Sequence, residues 1–110
     1  MPASVSPVPV FAALGDRTRL ELVSRLSDGQ TRSIAQLCDG MTMTRQAVTK
    51  HLNVLRRAGI VAQRRVGRES HFQIVPAPLR DARDYLSRAS AQWDDAISRL
   101  KTRVEAKARE

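Results

Sequence analysis

Residues 44–59, TRQAVTKHLNVLRRAG, constrain the fold most strongly, because they predict one amphipathic helix with a Thr at its start and a Gly at its end. At about 100° per residue, Val48, Leu52 and Leu55 form a narrow apolar sector. The remaining side carries Arg, Lys, Gln, Asn and Thr side chains and no carboxylate. We therefore expect a helix that packs on a core by one side and presents hydrogen-bond donors and some acceptors on the other.

The positive charge of the chain is concentrated in this helix and the stretch that follows it. Residues 45–68 contain seven Lys and Arg residues and no Asp or Glu, whereas the other twelve cations are balanced by eleven acids. The net charge of +8 therefore comes almost entirely from one segment. Such a block is expected where a protein neutralises phosphates, and it favours a nucleic-acid partner. A basic face that only aids solubility is the alternative.

Length and composition indicate one small soluble domain. The chain has 110 residues, of which 42% are hydrophobic, and no apolar run is long enough to cross a membrane. The N-terminal stretch MPASVSPVPV lacks the basic start and apolar stretch of a secretion signal, so we expect residues 1–7 to be a flexible lead and the protein to be cytoplasmic. A nucleic-acid partner would make it nucleoid-associated. Residues 8–104 are expected to form the domain, and residues 105–110 a charged tail.

Three helices are predicted before the amphipathic one. The first ends at Gly15, and the second begins after an N-cap at Asp16 or, two residues later, at Thr18. A third, short helix covers the stretch SIAQLCDG and has Ile34, Leu37 and Cys38 on its apolar side. The apolar side of the second helix is expected to consist of Leu20, Val23 and Leu26.

Two β-rich runs follow, and then a long helix. IVAQRRV and HFQIV flank the turn GRES, which predicts an antiparallel hairpin with Gly67 at its tip. Pro76 and Pro78 end this hairpin and can begin the last helix. The predicted fold class is mainly α (α+β): a winged helix-turn-helix with a two-stranded β-hairpin wing and a long C-terminal dimerisation helix.

A helix with a polar outer side suits the major groove of DNA. In a helix-turn-helix, the N-terminal part of the second helix reaches base edges. Arg45, Gln46 and Thr49 are therefore candidates for base contacts, and Lys50 for a phosphate contact. His51 lies off this side and is expected to be a packed helix residue, whereas the wing arginines can touch phosphate or enter a narrow minor groove. The candidate DNA-binding residues are Thr44, Arg45, Gln46, Thr49, Lys50, Asn53, Arg64, Arg65 and Arg68.

The last helix carries an apolar stripe that is too narrow and too long for one small core to cover. Its residues follow at steps of three or four and span only about 80° of the helix circumference. Such a seam predicts pairing with a second copy of the chain; the alternative is packing on its own domain. The stripe consists of Leu79, Ala82, Leu86, Ala89, Trp93, Ile97, Leu100 and Val104. The candidate dimer-interface residues are Phe11, Leu86, Ala89, Trp93, Ile97 and Leu100.

Taken in order, these motifs resemble the ArsR family of bacterial winged-helix transcriptional repressors. The similarity runs from FAALGDRTRLELVSRL through TRQAVTKHLNVLRRAGIV to GRESHFQI and covers roughly residues 8–104. The resemblance implies a homodimer that binds double-stranded DNA at an inverted-repeat operator and represses transcription. Arg17 stands where the family commonly has Pro, at a first-turn position that tolerates either residue.

Many members of that family sense metals, but this sequence lacks the residues for a metal site. The familiar sites use paired cysteines near the third helix, or His and Asp residues along the last helix. This chain has one cysteine, Cys38, and four Asp residues without His in the last helix, namely Asp81, Asp84, Asp94 and Asp95. Exposed carboxylates do not replace the thiolate and imidazole ligands of zinc-like ions. We therefore expect no metal and no cofactor.

Several alternatives stay open. The simplest interpretation of Cys38 is a small buried hydrophobe, but its oxidation could loosen DNA binding and make the protein a thiol-responsive repressor. Three further alternatives are a repressor tuned by a small molecule, a less specific architectural DNA-binding protein, and a protein-interaction module that uses the stripe around Trp93. An enzyme is not expected, because no phosphate loop, metal-binding helix pattern or paired nucleophile is visible.

Overall fold

Helices dominate the part of the chain that the computed structural model describes, residues 6–109. Residues 1–5 of the expected N-terminal lead lie outside this range. The elements in chain order are α1 (Val8–Leu14), α2 (Arg17–Leu26), β1 (Arg32–Ser33), α3 (Ile34–Cys38), α4 (Arg45–Arg57), β2 (Val61–Val66), β3 (Glu69–Ile74) and α5 (Pro76–Ala108). The mainly helical fold class with a small sheet is confirmed.

Side-chain caps fix where two central helices begin. The carboxylate of Asp16 accepts a hydrogen bond from the backbone N–H of Arg19 at 3.1 Å, so Asp16, rather than Thr18, is the N-cap of α2. Thr44 Oγ1 accepts from the N–H of Ala47 at 3.1 Å at the start of α4. Each cap satisfies an N–H group that has no partner within its own helix. Both predicted helix starts are confirmed.

One hydrophobic core lies between the first four helices, the start of α5 and the sheet. The prediction for α2 is partly wrong, because Leu20 is 52% exposed while Leu22 is fully buried. Leu22 lies only about 40° from Leu26 on the helix, whereas Leu20 lies about 120° from it. The Leu22–Leu26 row therefore packs inward and turns Leu20 to solvent. The buried core residues are Val10, Ala13, Leu22, Leu26, Leu37, Val48, Leu52, Leu55, Ile60, Val61, Phe72 and Ala82.

The predicted hairpin is present, but it belongs to a three-stranded antiparallel sheet of order β1-β3-β2. β2 and β3 pair along their full lengths, and Gly67 at the tip has a φ of +63°, a conformation that suits glycine. The two-residue β1 pairs with Phe72 and His71 of β3. The sequence does not predict β1, because two residues cannot show an alternation of apolar and polar side chains.

α5 leaves the body of the molecule as a long arm. It has 33 residues, and Ala82 is the only buried residue along it. At 1.5 Å per residue the helix is about 50 Å long. The radius of gyration is 19.7 Å, against about 13 Å for a compact domain of this length. The helix continues to Ala108, into residues 105–110, for which the sequence predicts a charged tail. Within residues 6–109, no helix combines the length and apolar character that a membrane span needs.

Candidate nucleic-acid interface

α4 buries one side and presents its polar side to solvent. Val48, Leu52 and Leu55 are fully buried, as the helical periodicity predicts. The candidate DNA-binding residues lie on the outer side of the same helix. Arg45, Gln46 and Lys50 are exposed, and Thr49 and Asn53 are half-buried. The structure therefore brings all five onto one accessible helix surface.

Two threonines near the start of α4 use their hydroxyl groups within the helix. Thr44 Oγ1 is occupied as the N-cap acceptor. Thr49 Oγ1 donates to the carbonyl oxygen of Arg45 at 2.7 Å. A hydroxyl has one proton, so Thr49 can still accept a hydrogen bond but has none left to donate. The exposed side chains of Arg45 and Gln46, in contrast, keep their N–H groups free to donate.

A cleft opens beside the first half of α4. It is lined by Ile34 at the start of α3 and by Arg45, Gln46, Thr49 and Lys50 of α4. Ile34 is half-buried, and its inner part packs against the core. Sequence reasoning assigned Ile34 to the apolar side of its helix and missed its place at this surface. An apolar residue at this position of α3 is expected both for a core residue and for a residue that lines a surface cleft, so the sequence does not distinguish the two.

The wing carries arginines around its tip. Arg64, Arg65 and Arg68 are all exposed. In the β2–β3 ladder, Arg64 is opposite His71 and Arg65 is opposite Ser70. Successive side chains of a strand point to opposite faces of the sheet, so Arg64 and Arg65 cannot both contact a surface that lies against one face. The wing therefore offers such a surface Arg68 and one of its two strand arginines.

The cations of α4 and the wing differ from several others in having no acidic partner. Within residues 6–109, none of the seven has a carboxylate oxygen within 4.0 Å. In contrast, Arg25 pairs with Glu21 at 3.2 Å and Arg32 with Asp28 at 2.7 Å. The positive charge of the seven is therefore available to an anionic partner. We call them the basic surface: Arg45, Lys50, Arg56, Arg57, Arg64, Arg65 and Arg68.

The ion pair of Asp28 shows what an acidic partner does elsewhere in the chain. The Arg32 guanidinium donates to both carboxylate oxygens of Asp28, at 2.8 and 2.7 Å, and the N–H of Gln30 donates at 3.0 Å. These hydrogen bonds lower the pKa of Asp28 to about 2. Asp28, in the loop before β1, thus neutralises the charge of Arg32, which is the first residue of that strand.

A polar network behind α4 connects this helix to α1 and α2. Arg19 Nη1 lies 3.3 Å from His51 Nδ1, and Arg19 Nε donates to the carbonyl oxygen of Ala13 near the end of α1. Asp16 Oδ1 lies 3.7 Å from the same His51 nitrogen. The pKa of Asp16 is lowered, chiefly by the hydrogen bond from the Arg19 backbone N–H and also by the charges of His51 and Arg19. His51 is therefore a packed helix residue, as predicted.

Arg25 supports the turn of the helix-turn-helix. Its guanidinium donates to the carbonyl oxygen of Leu37 at 3.0 Å and to that of Asp39. These carbonyl groups lie at the end of α3, where a helix leaves its acceptors unpaired. Sequence reasoning missed this role, because an Arg four residues after Glu21 has the pattern of a surface ion pair.

Cys38, the candidate redox residue, is the last residue of α3. It is half-buried and packs against the hydrophobic core, as do Met41 and Met43 in the following turn. No group of three or more His, Cys, Asp or Glu side chains in the described part of the chain is arranged to hold a metal ion. The position of Cys38 is one of packing, and its redox role stays a prediction.

The apolar stripe of α5 is exposed over most of its length. The side chains of Leu86, Trp93, Ile97 and Leu100 are 54%, 69%, 57% and 62% exposed, and Ala89 is half-buried. Nearer the body of the molecule, Phe11 of α1 lies against Tyr85 with ring centroids 5.9 Å apart. α1 and α5 also line an open groove that includes Phe11 and Leu86. The outer part of the helix therefore does not pack on its own domain.

Comparisons of the sequence with known proteins agree with this architecture. A helix-turn-helix domain model matches residues 14–64. An HTH-type transcriptional regulator of Mycobacterium tuberculosis is 35% identical over 93 residues, which are 84% of this chain and 83% of the relative. The arsenical resistance operon repressor of Escherichia coli is 30% identical over 70 residues, which are 64% of this chain and 60% of that repressor's length.

A solved structure extends the similarity to most of the fold. The ArsR-like transcriptional regulator from Rhodococcus sp. RHA1 superimposes with a TM-score of 0.72 at 36% sequence identity. The match covers 87% of this chain and 90% of that chain. The sequence similarity, the fold and the exposed polar side of α4 therefore agree, and the chain belongs to the ArsR family of winged helix-turn-helix, DNA-binding transcriptional regulators.

Proposed function

We propose that the protein is a homodimeric repressor that binds an inverted-repeat operator and blocks transcription, including that of its own gene. The observation that carries this proposal is the basic surface, whose seven cations have no acidic partner among the described residues. Duplex DNA supplies the missing negative charge, because it presents phosphates along both edges of each groove. α4 carries four of these seven cations and no carboxylate.

The side chains of α4 and the wing divide into two roles under this proposal. Arg45 and Gln46 contact base edges, because Arg pairs in a bidentate manner with guanine and Gln with adenine. Lys50 contacts phosphate, and Thr44 and Asn53 border the same contact region. Arg68, at the tip of the wing, and one of the two strand arginines, Arg64 or Arg65, contact phosphates or enter the minor groove.

The dimer is proposed from the exposed stripe of α5. Large apolar patches on a small protein mark places where another molecule binds. A second copy that pairs through the stripe would bury Trp93 and cover the groove beside Phe11. Two-fold symmetry would then place two α4 helices about 34 Å apart, on successive turns of the major groove. This spacing is why we propose a near-palindromic operator.

Repression would follow from occlusion alone. A dimer that covers an operator overlapping a promoter excludes RNA polymerase without catalysis and without a cofactor. The name of one relative, an arsenical resistance operon repressor, supports the direction of regulation. The proposed place of action is the DNA in the cytoplasm.

Fluorescence anisotropy tests the proposal. The protein is titrated against labelled DNA from upstream of its own gene and against a shuffled copy, each at two salt concentrations. We expect a preference of at least ~10³ for the upstream DNA. Equal and steeply salt-dependent binding to both would favour the architectural alternative. Absence of binding to either would favour a protein partner for the α5 stripe.

A further inference from the structure

We propose that the cleft beside α4 reads the methyl group of thymine, with the methyl group of Thr49 and the side chain of Ile34 as its apolar contacts. This inference rests on the proposed function, which it deepens by naming a base and two specificity-determining residues. Among the four bases, only thymine presents a methyl group in the major groove. The cleft lies beside the N-terminal half of α4, the part of the second helix that reaches base edges.

The first reason to assign a methyl contact to Thr49 is that its hydroxyl group is already in use. Its only proton is donated to the carbonyl oxygen of Arg45 at 2.7 Å. This hydrogen bond holds the hydroxyl against the helix backbone, and because Thr has restricted rotamers, it also fixes the orientation of the methyl group on the same carbon. Thr49 therefore has a positioned methyl group but no proton to offer a base.

The second reason is that Ile34 gives the cleft an apolar wall. It is the only aliphatic hydrophobic residue among those that line the cleft, and it comes from a different helix, α3. The core holds its inner part in place, while its outer part stays accessible. The remaining lining residues, including Arg45 and Lys50, contribute long side chains whose stems are hydrocarbon. The wall of the cleft is consequently mostly carbon, and a methyl group placed there loses contact with water.

The experiment uses an operator that the wild-type protein selects from random DNA. Each thymine of this operator is replaced in turn by deoxyuridine, which lacks only the methyl group, and the dissociation constants are compared. We expect one position in each half-site where the wild-type protein binds the deoxyuridine DNA about fourfold more weakly. That factor corresponds to ~0.8 kcal/mol for one buried methylene-sized group, with 1.36 kcal/mol per factor of ten.

Matched variants assign the effect to Thr49. Thr49→Ser keeps the hydroxyl and its hydrogen bond but removes the methyl group, so it should discriminate between thymine and deoxyuridine operators by clearly less than the wild-type protein does, with only the Ile34 contact left. Thr49→Val keeps a methyl group and should remain sensitive to the replacement. Ile34→Ala should reduce the sensitivity without abolishing operator preference. Thermal unfolding of each variant shows whether the fold is retained.

Three results would overturn the inference. A wild-type protein that prefers its operator over shuffled DNA but is insensitive at every thymine would refute the methyl contact and leave the proposed function intact. Equal sensitivity of wild type and Thr49→Ser would show that another residue makes the contact. Failure to select any sequence would refute the proposed function, and the inference with it.

Discussion

The basic surface and the apolar stripe of α5 are both exposed in the single chain, yet they are supported very differently. α4 lies on three fully buried residues and is tied to its neighbours by Arg19, and the wing is part of a three-stranded sheet. α5 is an arm in which Ala82 is the only buried residue. A charged surface on a fixed scaffold suits a stiff polyanion, whereas an unsupported apolar arm needs a partner that covers it.

This difference implies that DNA binding depends on dimerisation, but that dimerisation does not depend on DNA binding. Operator binding should require the dimer, because two half-sites contribute to the affinity. The dimer should not require the basic surface, because the stripe is apolar and lies on another element. Variants of the stripe should therefore weaken both dimerisation and operator binding, whereas variants of the basic surface should weaken DNA binding alone. The first three predictions below test this difference.

Trp93→Ala should have the largest effect. Trp93 is 69% exposed in the single chain, and as an anchor of the dimer its truncation should weaken association by about 2–4 kcal/mol. That is about 30- to 1000-fold, and operator affinity should fall with it. Sedimentation equilibrium measures the association. Gln92→Ala, one residue away and off the stripe, is the control and should dimerise normally. An unchanged dimer in Trp93→Ala would place the interface elsewhere.

Gln46→Ala should have the next largest effect, and only on specificity. Loss of one base contact should cost about 1–3 kcal/mol on the operator and little on shuffled DNA. The ratio of the two dissociation constants, measured by anisotropy, reports this directly, while the dimer should be unaffected. If both DNAs lost affinity equally, Gln46 would be a phosphate contact and the assignment of base reading to it would be wrong.

Lys50→Ala should weaken binding to operator and shuffled DNA by similar factors. One phosphate contact fewer in each subunit should also reduce the slope of affinity against salt by about one per contact. Arg32→Gln is the matched control, because Asp28 already neutralises Arg32 within the chain. The distinction between paired and unpaired cations would collapse if the two variants changed the salt slope by the same amount.

The smallest effect concerns stability at low pH. The pKa of Asp28 is lowered to about 2 from 3.8, so its ionised form favours the folded state above pH 3.8, and this contribution is lost as the pH falls towards 2. Asp28→Asn should therefore lower the unfolding midpoint at pH 5 and show a shallower decline between pH 4 and pH 2 in circular dichroism melts. Asp95→Asn, on the exposed arm, is the control. Identical pH profiles for Asp28→Asn and the wild type would show that the ion pair does not contribute in solution.

Much of the scaffold could be predicted from sequence, because its signals are local. Asp16 and Thr44 are recognisable N-caps, and Gly67 marks the wing turn that the structure contains. The buried side of α4 follows from its helical period. Such features depend on residues within a few positions of one another, which a single sequence displays directly.

The missed features depend on contacts between elements. Leu22 replaces Leu20 in the core because α2 packs by its Leu22–Leu26 row, a choice that only the neighbouring helices determine. Arg25 reaches carbonyl groups 12 and 14 residues away, and Arg19 reaches a histidine 32 residues away. The place of Ile34 in the cleft depends on how α3 meets α4. Periodicity within one helix or strand cannot predict contacts between residues that lie this far apart in the sequence.

Selection from random double-stranded DNA tests the central claim most directly. The account predicts an enriched inverted repeat whose half-sites are centred about 10 base pairs apart, since paired α4 helices would enter successive major grooves. The Gln46→Ala protein should enrich a more degenerate version of the same repeat. Recovery of no sequence motif by the wild-type protein, together with binding that depends on salt alone, would contradict the claim that α4 reads an operator.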